Sequence, residues 1–165
     1  MGNRYRWAVL AATALAGCAV LGLQGLEPGR STQAEVRQAL GEPALAIDGA
    51  GGSRQLVFPR GPAGTETYMA FIDRDGRLVR LEQALTEDRF RQLAVGRSSR
   101  DDVLRLIGPP WRRIDFANKG QVAWDYRFRD TWGYLAEFSV MLDAQGVVAD
   151  TVTVRLERDR SDAIR

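Results

Sequence analysis

The sequence predicts an α+β fold made of two tandem helix(-helix)-β-β-β units, each a three-stranded antiparallel meander covered by helices. Three observations lead there. Leu26 to Val36 aligns with Leu93 to Val103 at an offset of 67 residues, and self-similarity at a fixed spacing is the mark of a duplicated unit. Each copy opens with a helix-capping signature. Each then passes into runs of alternating apolar and polar residues, the period of a half-buried strand. Composition agrees: of 165 residues, 45% are apolar and 27% charged, the balance of a globular chain.

The chain divides into five segments. Residues 1–17 read as a lipoprotein signal peptide. Arg4 and Arg6 precede an apolar run from Trp7 to Gly17, the n-region and h-region of a secretory signal. The run ends in Leu15, Ala16, Gly17 and Cys18, which resembles the lipobox of bacterial lipoproteins. Small residues at 16 and 17 admit a peptidase, and the thiol of Cys18, the single cysteine of the chain, receives the lipid. Residues 18–22 are then a lipidated cysteine and short tether. An alternative is an uncleaved anchor in the inner membrane, because Trp7 to Leu26 carries only Thr13 and Gln24 as polar residues and is long enough to span a bilayer. The repeat offers a different account of the end of that run: Leu23 and Leu26 align with Phe90 and Leu93, so packing explains their apolarity. Residue 19 is Ala and not Asp, which by resemblance to enteric lipoprotein sorting implies the outer membrane.

Residues 23–85 form the first unit and 86–156 the second; 157–165 are a charged tail. In the first unit Thr32 and Glu35 form a capping box, and Val36, Ala39 and Leu40 share a helix face. Gly41 stops the helix and Pro43 prevents its resumption. Strands follow at Arg54 to Phe58, Thr65 to Asp73 and Leu78 to Leu85. A short helix from Glu87 to Leu93, capped by Thr86, links the units. In the second unit Ser99 and Asp102 cap a helix whose face is Val103, Leu106 and Ile107, ending at Gly108 and Pro110. Its strands are Gln121 to Arg129, Tyr134 to Leu142 and Val147 to Leu156. In both units the last two strands meet at an Asp-x-x-Gly hairpin turn.

Several chemistries are excluded. With no histidine there is no Ser-His dyad and no imidazole ligand, and one cysteine forms neither an internal disulfide nor a thiolate cluster. No cofactor, metal site or catalytic residue is expected, and the chain is read as no enzyme. Asp73 to Gly76 lacks the acidic positions of a calcium loop, Asp101 and Asp102 complement a helix dipole, and nothing positions Asp125 and Asp130 as a catalytic pair. The formal net charge of +2 arises from Arg4 and Arg6, so nucleic acid is not an expected partner. Trp111, Arg112, Arg113 and Trp132 are the candidates for protein contact, since Trp and Arg dominate binding hot spots.

The pattern Gly29-x-Ser31-Thr32-x-x-Glu35-Val36-x-x-x-Leu40-Gly41-x-Pro43 behind a lipobox resembles the BamE (SmpA/OmlA) family of outer-membrane lipoproteins. The second copy departs from it at Ser99, Asp102 and Ile107. The resemblance implies an ααβββ fold and an accessory role in the machinery that inserts β-barrel proteins, with envelope proteins as partners and the membrane reached through the lipid. That subunit is similar to one repeat, whereas this chain has two. Two such units are also the architecture of the secreted β-lactamase inhibitor protein, which implies a periplasmic inhibitor with an open aromatic sheet face as the alternative function.

Overall fold

The computed structural model describes residues 23–60 and 64–156. The signal segment, Cys18 and the charged tail lie outside them. The architecture is mostly β and corrects the expectation of two three-stranded meanders covered by helices. Each sheet has four antiparallel strands in sequential order, β1-β2-β3-β4 and β5-β6-β7-β8. The first comprises β1 (Leu45–Asp48), β2 (Arg54–Arg60), β3 (Glu66–Ile72) and β4 (Leu78–Gln83). The second comprises β5 (Arg112–Phe116), β6 (Gln121–Arg129), β7 (Leu135–Leu142) and β8 (Val148–Arg155). The helices are short: α1 (Gln33–Leu40) and α3 (Arg100–Ile107) have eight residues each, and α2 (Glu87–Phe90) has four.

The strands that the sequence does not announce are β1 and β5. The first is too brief to display a period and stands between Pro43 and a glycine-rich turn. The second carries Arg112, Arg113 and Asp115 among its five residues. Charge on an edge strand is how sheets discourage further pairing, and it conceals the strand from a hydrophobic pattern.

The repeat is reproduced down to individual hydrogen bonds. Gly29 N donates to Leu78 O at 2.7 Å and Gly96 N to Val148 O at 2.8 Å; Leu78 N returns a bond to Ser31 O and Val148 N to Ser98 O, both at 2.8 Å. Ser31 Oγ accepts from Glu27 N and Ser98 Oγ from Ala94 N. The Gly-Arg-Ser of each copy thus sews the turn before the helix to the start of the unit's last strand. Both capping boxes are complete, with Thr32 N and Ser99 N donating to the carboxylates of Glu35 and Asp102. The equivalence fails at the start of the repeat. Leu26 and Leu93 are both buried, but Leu23 is 37% exposed, while Phe90 is buried and stacks on Phe138 with ring centroids 4.1 Å apart.

Val36 and Leu40 of α1 pack with Leu26, Leu56, Phe58, Ala70, Ile72 and Leu78. In the second unit Val103 and Ile107 join Phe90, Leu93, Trp124, Tyr126, Phe128, Phe138 and Val140 in a heavier core. A third cluster, Val57, Met69 and Ala84, lies on the opposite face of the first sheet. The end of α3 closes over it. Gln55 Nε2 donates to Arg105 O at 2.7 Å, and Arg89 donates to Leu106 O at 2.8 Å while pairing with Glu82. Gly108 is so close that an added Cβ would stand 2.8 Å from Val57 Cγ1. The two units therefore share an interface made by the last turn of one helix.

Candidate functional site

The outer face of the second sheet is the richest surface among the described residues. Strand alternation places Trp124, Tyr126 and Phe128 of β6 in the core and turns Asp125 and Arg127 outward. Register then assembles rows. Arg112 stands beside Asp125, Asp125 beside Ser139, and Ser139 beside Val152; Arg127 stands beside Glu137 and Glu137 beside Val154.

Asp125 is only 2% exposed despite facing outward. Its Oδ1 accepts from Ser139 Oγ at 2.7 Å and its Oδ2 from Arg112 Nε at 2.8 Å. Arg112 also reaches Glu137 Oε1 at 3.2 Å. A buried carboxylate needs such partners, because desolvation without them costs several kcal/mol, about 3–5 when one member of a buried pair is removed. Above this network lies Trp111, whose backbone N–H donates to Asp125 O at 3.1 Å. Its indole lies against two guanidinium groups, Arg127 at 3.8 Å and Arg112 at 4.8 Å from the ring centroid. Trp111 is 40% exposed, so an aromatic surface is held rigid and still reachable.

The four expected contact residues do not form one patch. Trp111 and Arg112 share the outer face. Arg113, next in the strand, points the other way and lies 4.7 Å from the ring centre of Trp124. Paired arginines on a strand are separated by its period of two. Trp132 is 79% exposed in the loop between β6 and β7. Its turn is fixed by Asp130, whose Oδ1 accepts from Trp132 N and Tyr134 N at 2.9 Å, and whose Oδ2 accepts from Arg155 Nε at 2.8 Å. Burial raises the Asp130 pKa, and the Arg155 and backbone hydrogen bonds more than reverse this, leaving it below the ordinary Asp value. The sequence reading missed Glu137 and Ser139 and did not join Asp125 and Arg127 to Trp111 and Arg112. The alternation of β6 already put Asp125 and Arg127 on one face, but their partners come from β5 and β7.

Of the acidic positions considered for chemistry, Asp73, Asp102, Asp125 and Asp130 have structural partners. Asp73 Oδ1 accepts from Asp75 N and Arg77 N within its turn. Asp102 belongs to a capping box, and Asp125 and Asp130 are each bound by an arginine. Among the described residues no three His, Cys, Asp or Glu side chains are grouped to hold a metal ion. Trp124 and Tyr126 are core residues, so the sheet face expected of an inhibitor retains from its aromatic set only Trp111, Trp132 and the half-buried Tyr134. Among the same residues no helix is long and apolar enough to cross a membrane.

No family model matches the chain, and no curated protein does. A solved structure of a DUF4309 family protein (YjgB) from Bacillus subtilis is similar at 20% identity, covering 81% of this chain and 84% of that one with a TM-score of 0.32. A likeness of that strength carries no argument about fold or function.

Proposed function

We propose that this chain is a non-enzymatic binding module, tethered to the outer membrane through Cys18, facing the periplasm, and supporting envelope-protein assembly by protein contacts. The observation that carries the binding reading is Trp111 packed against Arg112 and Arg127 beside the buried Asp125. A pre-ordered aromatic residue flanked by arginines is the composition of a hot spot, and rigidity lowers the entropy lost on contact. The tether rests on the lipobox residues Leu15, Ala16, Gly17 and Cys18, and the assembly role on the resemblance to the BamE family.

The test is recovery of the full chain from gently solubilised membranes of its host. Wild type brings envelope proteins with it, and Trp111→Ala loses them while keeping its melting temperature within a few degrees. Clean recovery of wild type alone overturns the binding reading. An intact mass showing Cys18 without acyl chains overturns the tether.

A further inference from the structure

Four strands close the edges of the two sheets, and three of them are blunted. The first, β1, has four residues; β4 carries Arg80 and Glu82, and β5 carries Arg112, Arg113 and Asp115. The fourth, β8, is eight residues long, and its stretch Thr151-Val152-Thr153-Val154 has no charge. Val152 and Val154 are both exposed. Such an edge is a template for another strand.

Its free hydrogen-bonding groups can be assigned. Leu156 N donates to Leu135 O at 2.8 Å. Antiparallel pairs alternate between bonded and non-bonded. Val154 and Val152 therefore direct their backbone groups to β7, and Thr151, Thr153 and Arg155 direct theirs to the open edge. Thr151 N–H agrees, since its acceptor is the Asp150 side chain at 2.8 Å. Beside this edge runs a groove of about 360 Å³ floored by Phe90, Leu93 and Phe138 and rimmed by Glu87 and Arg91. Helix α2 runs opposite to β8: Glu87 meets Thr131 near the strand's end, and Gly96, beyond the helix, meets Val148 at its start. Arg91 thus lies toward Thr151 and Glu87 toward Thr153.

We propose that β8 pairs with β8 of a second copy of this chain, antiparallel about a two-fold axis at Val152, joining the two second-unit sheets into one of eight strands. In that register Thr151 of one copy and Thr153 of the other form a bonded pair, with Thr151 N–H exchanging Asp150 for the new carbonyl. Val152 meets Val152 of the second copy in the close, non-bonded pair. The same operator sets Arg91 of each copy against Glu87 of the other. A two-fold interface must be self-complementary, and this rim is, with an acid and a base either side of the axis; Arg91, which within its own chain pairs with Glu87 and Asp88, then also meets Glu87 of the second copy. The dimer requires only the fold and the edge, so it stands or falls apart from the contact role of Trp111.

The test uses the full chain carrying Cys18→Ser, so that no other thiol is present. Val152→Cys added to it forms a disulfide-linked dimer under a mild oxidant, while Val79→Cys, on the exposed side of β4, does not. Sedimentation equilibrium gives twice the 18.3 kDa chain mass. Arg91→Glu sets acid against acid and weakens the dimer about tenfold, and adding Glu87→Arg to it restores the affinity. A monomer at millimolar concentration with no cross-link at Val152 overturns the proposal, whether residues 157–165 or another protein takes that edge. Equal cross-linking at Val79 and Val152 overturns it too.

Discussion

Gly41 and Gly108 end equivalent helices with φ of 83° and 82°, yet they meet different surroundings. A Cβ on Gly41 would touch nothing within 4 Å, whereas one on Gly108 would press on Val57 and Thr67 of the first sheet. Both pair that φ with an extended ψ (−162° and −169°), a region essentially reserved for glycine that costs a side chain about 1–3 kcal/mol at either site, and overpacking adds about 1–3 more at Gly108 alone. Gly108→Ala is therefore expected to destabilise by about 2–6 kcal/mol and Gly41→Ala by about 1–3, measured by urea unfolding. Equal losses would place the contact with Val57 in error. The repeat makes both glycines visible in sequence, but only the structure separates a helix stop from an interface. Arg112 and Arg113 give the same lesson: adjacent in sequence, they are sent to opposite faces by the strand between Pro110 and Ala117.

At the scale of elements, the helix starts were the most legible feature. Thr32 with Glu35, and Ser99 with Asp102, are local devices whose partners lie three residues apart, so no distant part of the chain is needed to find them. Strand β6 was read with its observed bounds because nine residues show a clear period. Strands β1 and β5 were missed because one is brief and the other is charged, and both are defined by the neighbour they pair with. The capping boxes carry a pH signature. Hydrogen bonds from Thr32 N and from Ser99 N, helped by the hydroxyls, hold Glu35 and Asp102 below their ordinary values of 4.5 and 3.8. Lowered carboxyl pKa values contribute stability that is complete above those values and lost as pH falls through the folded ones. Glu35→Gln with Asp102→Asn should lower the melting temperature at neutral pH and flatten its decline on acidification. An unchanged acid limb would show that the boxes are not coupled to protonation.

For the whole molecule, the informative residue is Arg89. It belongs to the linking helix, donates to Leu106 O at 2.8 Å, approaches Met69 Sδ at 3.6 Å and pairs with Glu82. It therefore touches both sheets' supports at once. Wild type should unfold in a single transition, because the end of α3 serves two cores. Arg89→Ala leaves the Leu106 carbonyl without its donor and Glu82 with Arg80 alone, at about 2 kcal/mol, and should broaden or split that transition in calorimetry. A sharp single peak in the variant would mean the units are coupled elsewhere. None of this was readable from sequence, since a contact between Gln55 and Arg105 spans fifty positions without a local mark. The shared helix end also sets an order of events. As the chain emerges amino-end first, Val57, Met69 and Ala84 lack the cover of the α3 end until Gly108 has appeared. The first half is thus made before its own lid, and for that interval the nascent protein presents an incompletely covered apolar face to its surroundings.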